Sequence, residues 1–309
     1  MSAATDPDFW SPPATAHQEA NEALRQARVV IVGLGLMGGS LGLALRARCA
    51  CREVVGVARR PETVEAALQM GAVDRATTDL AQGVAGADMV ILATPVRTIL
   101  RQIPLLGDLL SPPCVLLDLG STKSAICRTM ASLPDGLQPI GGHPMCGKEV
   151  AGIEAAEATL YEGKVFVLTP LPRTGPRAVA LAVALATAVG SRVLFLEPER
   201  HDRLVAAISH LPYLLSSALV ATAEEVSRRD EAVWKVAASG FRDTSRLAAS
   251  DVTMMLDILL TNREAVLATV ETFRKHLRDL AERLEVGDEA GLRALLEAAH
   301  ARRSRVTSS

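Results

Sequence analysis

Residues 28–38 read RVVIVGLGLMG, and this stretch decides the fold. A short β-branched run ends at Gly33, and a helical pattern follows from about Leu36. The glycines at 33, 35 and 38 fit G-x-G-x-x-G between a strand and a helix. In this pattern the first glycine allows a tight turn, the second lets the backbone approach a pyrophosphate, and the third lets the helix pack closely on the strand. The stretch predicts a dinucleotide-binding unit, with a plain glycine-rich turn as the alternative.

Strand and helix patterns alternate over the first two thirds of the chain, and Pro61 opens a helix at a favoured first-turn position. Apolar, β-prone runs predict strands at residues 28–32, 53–57, 88–93, 114–118, 138–141, 164–168 and 191–196. Such alternation is typical of α/β proteins with a doubly wound parallel sheet.

The pattern changes after residue 196, where helical periodicity continues without a convincing strand. We expect helices over residues 199–227, 251–284 and 288–302, with a kink or break at Pro212. The first 27 residues are rich in Pro, Ala, Asp and Ser, which favours a loosely ordered tail. The predicted organisation is a flexible tail over residues 1–27, a dinucleotide-binding domain over 28–196 and an all-helical domain over 197–309.

Composition excludes several classes of protein. The chain has 309 residues with a formal charge of -2, which gives no general attraction to nucleic acid or to anionic membranes. No apolar run approaches the roughly 20 residues of a membrane span, and the start lacks the features of a secretory signal. The five cysteines are scattered, which favours reduced thiols in the cytoplasm and gives no metal-site spacing.

The end of the second predicted strand bears on the choice of cofactor. An NAD site usually carries a carboxylate about 20 residues past the glycine motif, for the ribose hydroxyl. Here Val57 is followed by Ala58, Arg59 and Arg60, and guanidinium groups would pair with a 2′-phosphate. This favours NADP over NAD, and solvated arginines at a helix entry are the alternative. The expected cofactor-binding residues are Gly33, Gly35, Leu36, Met37, Gly38, Arg59, Arg60, Thr94 and Pro95.

A second informative stretch, residues 141–152, reads GGHPMCGKEVAG. Pro144 disfavours helical geometry at His143, so we expect this histidine on a stiff turn at a strand-to-helix junction. A lone histidine of this kind is more often structural than catalytic. Three further stretches are therefore weighed with it: residues 118–123 read DLGSTK after a strand, residues 208–214 read ISHLPYL, and residues 240–246 read GFRDTSR.

Together these five stretches resemble the prephenate/arogenate dehydrogenase family of tyrosine biosynthesis, over nearly all of residues 28–303. The resemblance implies a Rossmann-type domain joined to a helical domain that forms a homodimer. It also implies NAD(P)-dependent oxidative decarboxylation of a small cyclohexadienol acid, prephenate to 4-hydroxyphenylpyruvate. In that reaction the ring hydroxyl loses a proton while hydride leaves its carbon, and a base with a pKa near neutrality, such as histidine, suits this step.

By resemblance, His143 is the base, Ser121 hydrogen-bonds in the same cluster and Arg246 holds a substrate carboxylate. Each residue has a plainer alternative. Ser121 could cap a helix that begins near Thr122. Arg246 could only pair with a neighbouring aspartate on a helix surface.

Three further residues resemble family positions near the pocket, or could face it. Lys123 could bind an anion or be a solvated lysine in the first turn of a helix. Glu149 resembles a position at the pocket mouth and could also serve the helix dipole. His210 could face the site or be a buried, satisfied histidine.

Tyr213 departs from the family, because many prephenate-using relatives carry a second histidine there, in H-L-P-H. Loss of a titratable group near the substrate side chain would suit the zwitterionic side chain of arogenate, and so would an NADP-type loop. Glu149 matches prephenate-type relatives better. We therefore expect prephenate as the substrate and keep arogenate as the alternative.

Cys146 and His201 are predicted to have structural roles: Cys146 as a small packing residue, and His201 as part of a helix N-terminal turn rather than of the site.

Two rival functions remain at this point. One is another two-domain hydroxyacid dehydrogenase, and the other is a non-catalytic, NADP-sensing dimer.

Overall fold

The computed structural model describes residues 14–148 and 150–306. The chain divides into two compact units, Met1–Asn262 and Arg263–Ser309. The first unit contains the sheet and the helices up to Asn262. The domain boundary expected near residue 196 stays a prediction.

The first unit is built on one eight-stranded sheet in the order β3-β2-β1-β4-β5-β6-β7-β8. Its strands are β1 (Arg28–Val32), β2 (Glu53–Val57), β3 (Arg75–Thr77), β4 (Met89–Leu92), β5 (Val115–Asp118), β6 (Gln138–Pro144), β7 (Val165–Pro170) and β8 (Arg192–Phe195). Every neighbouring pair is parallel except β6 and β7. The carboxyl ends of β1 and β4, on either side of the point where the strand order reverses, are the position at which such sheets bind dinucleotides.

Within the described residues, twelve α-helices belong to the first unit: α1 (Ala14–Gln26), α2 (Leu36–Ala47), α3 (Pro61–Gln69), α4 (Leu80–Val84), α5 (Val96–Leu109), α6 (Ser124–Ala131), α7 (Pro176–Ala188), α8 (Pro198–Val205), α9 (Leu211–Ser227), α10 (Ala232–Lys235), α11 (Ser239–Ser245) and α12 (Val252–Thr261). The core lies on both faces of the sheet. Val29 and Ile31 of β1 belong to one apolar cluster, and Val30 and Val32 belong to the other. This two-sided burial explains why β1 is apolar without alternation.

The second unit consists of α13 (Arg263–Val286) and α14 (Glu289–Val306). Gly287, with φ of +68°, makes the left-handed turn between them. Asp288 accepts a hydrogen bond from the Gly291 N–H at 2.9 Å and pairs with the Arg283 guanidinium at 2.7 Å. These contacts cap the start of α14 and tie it to the end of α13.

The predicted doubly wound sheet is confirmed, with one exception to its parallel order. Only a short 3-10 turn, Ile153–Ala155, lies between β6 and β7 in the described residues, and the two strands are antiparallel. Parallel neighbours need a crossover connection, which this segment does not supply. The expectation for His143 is also corrected, because it lies inside β6 opposite Val167 and not on a turn that enters a helix.

The tail expected over residues 1–27 is wrong from Ala14 onward, because α1 begins there. Leu24 is 1% exposed and Ala20 is 8% exposed, and α1 packs against α7. The small apolar residues recur at helical spacing, but the polar residues between them obscured the pattern. The remaining part of that expectation lies outside the described residues.

Two expectations about the long helices are corrected. Of the kink or break expected at Pro212, the break does not occur, because helix continues from Pro198 to Ser227 through a π-helical turn at Ala206–His210. In that turn the Leu211 N–H bonds to the Ala206 carbonyl, and the wider turn lies directly before the proline. Conversely, the helix expected over residues 251–284 is divided at Asn262.

Candidate active site

The glycine loop after β1 has the form that a dinucleotide requires. Gly33 has φ of +104°, and a Cβ there would lie 2.8 Å from the Ala93 backbone. A Cβ on Gly38 would lie 1.9 Å from the Gly33 carbonyl oxygen, so this glycine packs helix on strand. At Gly35, the N-cap of α2, a Cβ would meet no heavy atom within 4 Å. The backbone is therefore open at the one position where a pyrophosphate would approach the helix N-terminus, and the loop fits a dinucleotide.

The other expected cofactor residues lie around this loop. The Gly33 N–H bonds to the Val57 carbonyl at 2.8 Å, which places the loop beside the end of β2. Arg59 and Arg60 follow that strand and are exposed, and neither forms an ion pair with a described residue. On the other side the Ala93 N–H bonds to the Val32 carbonyl at 2.8 Å.

Thr94 and Pro95 continue from β4, and Leu36 and Met37 begin α2. The Thr94 hydroxyl donates to the Gln102 side-chain oxygen at 2.7 Å. Pro95 is the N-cap residue of α5. The Met37 carbonyl accepts a hydrogen bond from the Tyr161 hydroxyl at 2.8 Å.

An ion pair between Lys123 and Asp118 lies beneath the candidate site, and neither side chain is exposed. Lys123 Nζ also donates to the Gly142 carbonyl at 2.6 Å, and Asp118 accepts from the Gly142 N–H at 3.1 Å. The side chain is therefore not a solvated lysine, and its buried ammonium group is paired with Asp118 rather than exposed to a bound anion. Instead, Lys123 holds the end of β5 against β6 at the residue before His143.

Ser121 lies on the loop between β5 and α6 and is partly exposed. The helix begins at Ser124, and its first N–H groups donate to Asp202 rather than to Ser121. Lys123 N–H bonds to Asp202 Oδ1 at 2.7 Å, and Ser124 N–H bonds to Oδ2 at 2.8 Å. The capping role suggested for Ser121 is therefore wrong, and a carboxylate from α8 performs it.

His143 lies at the carboxyl end of β6, on the same edge of the sheet as the glycine loop, since β6, β5, β4 and β1 are mutually parallel. Its Nδ1 lies 2.8 Å from Nε2 of His201, which is fully buried on α8. Nδ1 of His201 in turn lies 2.9 Å from Asp202 Oδ1. Three titratable side chains thus form one hydrogen-bonded chain.

The electrostatics of this chain follow from its burial and its hydrogen bonds. Burial lowers the pKa of His143 well below 6.5, and the nearby His201 and Lys123 lower it further. Burial alone would raise the pKa of Asp202, but hydrogen bonds from His201 and from the start of α6 outweigh it and hold the pKa below its usual value. At neutral pH, therefore, His143 is uncharged and Asp202 is a carboxylate.

His210 ends the π-helical turn and is 1% exposed. Its Nδ1 lies 3.2 Å from the Asn262 amide nitrogen, which also donates to the Asp202 carbonyl at 2.7 Å. Burial lowers the pKa of His210 to about 4, against the opposing effect of Asp202. The structure therefore agrees with the buried, satisfied interpretation of this histidine. Tyr213 follows it on α9 and is partly exposed.

The segment that carries Arg246 packs against α9. The Ser216 hydroxyl on α9 donates to the Thr244 carbonyl at 2.7 Å. Arg246 is exposed at the start of a 3-10 turn, Arg246–Ala249.

Glu149 lies outside the described residues. Cys146 packs against the core, and burial raises its pKa to about 11, which disfavours a thiolate nucleophile.

Family models match almost the whole region that contains these residues. The model described as "Prephenate dehydrogenase, nucleotide-binding domain" matches residues 41–195. The model described as "Prephenate dehydrogenase, dimerization domain" matches residues 197–298. The chain belongs to the prephenate dehydrogenase family.

Individual relatives agree with this family. The chain is 31% identical to a prephenate dehydrogenase of Bacillus subtilis over 85% of this chain and 72% of that protein. It is 30% identical to a cyclohexadienyl dehydrogenase of Zymomonas mobilis over 82% of this chain and 86% of that protein. Members of this family are nicotinamide-dependent dehydrogenases that decarboxylate their substrate, and the resemblance seen in the sequence is confirmed.

Solved structures show the same fold. A prephenate dehydrogenase from A. aeolicus, in complex with hydroxyphenyl propionate and NAD+, has a TM-score of 0.86 at 33% identity, covering 92% of this chain and 99% of that one. A Synechocystis arogenate dehydrogenase has a TM-score of 0.79 at 33% identity, covering 90% of this chain and 99% of that one.

Sequence reasoning missed four residues that organise the family site in this chain: Asp118, His201, Asp202 and Asn262. His201 does lie in the first turns of α8, as expected, but its ring contacts His143 as well. Adjacent histidine and aspartate at the start of a helix were the available signal. His201 contacts His143, 58 positions earlier, and Asp202 contacts Lys123, 79 positions earlier. Contacts at such separations cannot be predicted from residue spacing.

Proposed function

We propose that this chain oxidises and decarboxylates prephenate to 4-hydroxyphenylpyruvate, with His143 as the general base. The observation that carries this assignment is the position of an uncharged His143 at the carboxyl end of β6, with its Nδ1 on His201. A histidine so held has its second nitrogen available to accept a proton. The glycine loop at the same edge supplies the place for the cofactor.

The chemistry divides between the cofactor and the protein. When bound, the nicotinamide cofactor supplies the hydride acceptor. His143 takes the proton of the ring hydroxyl while hydride leaves the carbon that bears it. The ring carboxylate then departs as carbon dioxide, because its bonding electrons complete the aromatic ring.

Other side chains bind and orient the substrate. Arg246 holds a substrate carboxylate by charge-assisted hydrogen bonds. The partly exposed Ser121 hydroxyl hydrogen-bonds beside the reacting hydroxyl. Tyr213 contacts the substrate side chain, and Glu149 is assigned to substrate binding by resemblance alone. His210 is too deeply buried for an extensive contact and supports the wall of the site through Asn262.

NADP is the proposed cofactor. Arg59 and Arg60 are exposed beyond the end of β2, where the ribose hydroxyl of a dinucleotide is usually recognised. The absence of a carboxylate at residues 58–60 removes the group that would repel a 2′-phosphate. NAD is the alternative, and the A. aeolicus relative was solved with NAD+.

Arogenate is the second candidate substrate. Tyr213 stands where many prephenate-using relatives carry a histidine, and an arogenate dehydrogenase is among the similar structures. A kinetic grid of prephenate and arogenate, each with NADP and NAD, tests both choices. We expect the highest kcat/KM for prephenate with NADP. At least tenfold higher kcat/KM with arogenate, or with NAD, overturns the corresponding choice.

The active form is proposed to be a homodimer in the cytoplasm, which reacts with a small molecule and needs neither nucleic acid nor membrane. Apolar side chains are exposed on the helices after residue 197, among them Ile208, Val226, Val252, Leu256 and Leu260. A second copy would cover them, as the matched dimerization domain implies. Light scattering coupled to size exclusion should give twice the 32.7 kDa of one chain.

One helix, Pro198–Ser227, is apolar and long enough to cross a membrane by length and composition, with 22% of its most apolar window buried. The sequence-based exclusion of any such segment is therefore wrong. Because helices that form subunit interfaces share this composition, we assign its exposed face to the dimer. A monomer that remains in the membrane fraction after alkaline extraction would overturn that assignment.

A further inference from the structure

We propose that His201 and Asp202 are positioning residues that hold His143 in the tautomer protonated on Nδ1, which leaves Nε2 as the proton acceptor. The proposal rests on the proposed role of His143 as the base. It concerns two residues that the sequence motifs left out of the site, and it follows from the direction of each hydrogen bond in the chain.

The direction is set at Asp202. Its Oδ1 accepts from the Lys123 N–H at 2.7 Å, and its Oδ2 accepts from the Ser124 N–H at 2.8 Å. These hydrogen bonds help to hold the pKa of Asp202 below its usual value, so its side chain is a carboxylate with no proton to donate. The His201 Nδ1 that lies 2.9 Å from Oδ1 must therefore carry the hydrogen of that bond.

The hydrogen bond between His201 and His143 fixes the proton on His143. In the proposed arrangement His201 carries a single ring proton, on Nδ1, so its Nε2 presents a lone pair, and that atom lies 2.8 Å from Nδ1 of His143. A hydrogen bond between these two atoms needs a proton on His143 Nδ1. The two rings meet edge to face, at 71°, so a ring edge of one points at the other. His143 Nε2 is consequently unprotonated and free to act as a base.

Burial explains why this arrangement matters for the reaction. His201 has no exposed surface, so it cannot touch the substrate and can act only through His143. When one proton moves from the substrate hydroxyl to His143 Nε2, the ring becomes cationic, and it keeps the proton on Nδ1. The lone pair of His201 and the negative charge of Asp202 then stabilise that cation, while Asp202 itself stays ionised, as in other histidine bases held by a carboxylate.

The tautomer can be observed directly in the wild-type enzyme. Nitrogen-15 NMR of histidine-labelled protein at about pH 8, above the ordinary histidine pKa of about 6.5, distinguishes the two ring nitrogens. The His143 signals are identified by their loss in His143→Asn. We expect a protonated Nδ1 and an unprotonated Nε2 on His143. The opposite tautomer in the wild type overturns the proposal without recourse to any His201 variant.

Two substitutions at His201 separate positioning from packing. His201→Phe keeps an aromatic ring but removes the acceptor, so we expect kcat to fall about 100-fold while KM for the substrate changes less than about twofold. His201→Gln returns an acceptor oxygen near the position of Nε2 and should recover at least about tenfold of the lost kcat. His300→Gln, beyond the matched dimerization domain, is the control and should leave kcat unchanged.

Failure of the positioning role of His201 is distinguishable from failure of the proposed dehydrogenase function. Turnover of prephenate or arogenate by wild type, together with a His201→Phe enzyme that keeps its kcat, overturns the positioning role and leaves the function intact. Lack of turnover by wild type, with His143 protonated on Nδ1, overturns the function while the tautomer assignment stands. Equal losses in His201→Phe and His201→Gln show a packing role and overturn the proposal.

Discussion

The carbonyl oxygen of Gly33 lies so close to Gly38 that a Cβ on Gly38 would stand 1.9 Å from it. Three residues earlier, a Cβ on Gly35 would meet nothing within 4 Å. The glycines of one loop therefore serve different purposes. Gly38 is required by the packing of the protein itself, whereas Gly35 is required only by what binds to the loop.

Alanine at these two positions should have opposite consequences. Gly38→Ala forces backbone to move, so we expect a loss of about 1–3 kcal/mol in the free energy of unfolding. Gly35→Ala should stay within about 0.5 kcal/mol of wild type, but weaken cofactor binding at least tenfold. Denaturant unfolding and cofactor titration of both variants measure this. Equal destabilisation, or unchanged cofactor affinity in Gly35→Ala, would contradict the division of roles.

Replacing the proposed base should separate chemistry from binding. In His143→Asn the side chain can still hydrogen-bond but cannot accept a proton at neutral pH, so kcat should fall about 10²–10⁴-fold. The glycine loop lies on other strands, and cofactor affinity should stay within about twofold of wild type. Steady-state kinetics measure kcat, and a fluorescence titration with the cofactor measures its affinity. A variant with wild-type kcat removes His143 from the mechanism.

The pH profile should reflect the lowered pKa of His143. Burial, His201 and Lys123 all lower that pKa well below 6.5. A base is active when unprotonated, so activity persists as the pH falls through 6.5 and is lost only below it. We expect the acidic limb of kcat/KM to lie below pH 6.5, because that limb reports ionisation of the free enzyme. An acidic limb above 6.5 assigns the titration to another group.

The arginines after β2 should control the choice between cofactors. Arg59→Ala with Arg60→Ala removes two positive charges from an exposed loop, so KM for NADP should rise at least tenfold while KM for NAD changes less than about threefold. Arg177→Ala, an exposed arginine at the start of α7, is the matched control and should change neither value. Parallel increases in both KM values would show that these arginines do not read the 2′-phosphate.

Acid should destabilise the protein through its buried histidines. His210 has its pKa lowered from 6.5 to about 4 in the folded chain, so the unfolded chain binds the proton more tightly. The associated stability is fully present above pH 6.5 and is lost as the pH falls toward 4. The loss from this residue is on the order of 3 kcal/mol. Urea unfolding at several pH values in this range gives the free energy of unfolding as a function of pH. That free energy should fall less steeply with decreasing pH in His210→Gln than in wild type, and an equal pH dependence would contradict the burial effect.

The nucleotide-binding half of the fold was predictable because its signals are local. β1 and β2 begin and end at the predicted residues, and Pro61 begins α3 as expected. β3 was missed, since three half-exposed residues at the edge of a sheet carry almost no apolar pattern. The reversal at β7 was missed because strand direction depends on what connects two strands, and the described part of the loop from Met145 holds only the 3-10 turn Ile153–Ala155.

The candidate site was only half predictable, for a related reason. His143 lies near the end of β6, Ser121 follows β5, and both stand in recognisable stretches. The partners of His143 lie on α8, and a hydrogen bond between residues 58 positions apart leaves no trace in spacing. Lys123 was misplaced for the opposite reason: a lysine in a first helical turn is usually solvated, and its burial against Asp118 depends on two neighbouring strands.

Asp202 also links elements that lie far apart in the chain. Its carboxylate accepts the hydrogen bonds of the first N–H groups of α6 and contacts His201, and its carbonyl accepts a hydrogen bond from Asn262 at the end of α12. One residue therefore joins α6, α8 and α12. The glycine loop lies between β1 and α2 and shares none of these contacts, so a chain without Asp202 would keep its dinucleotide loop and lose the order behind His143.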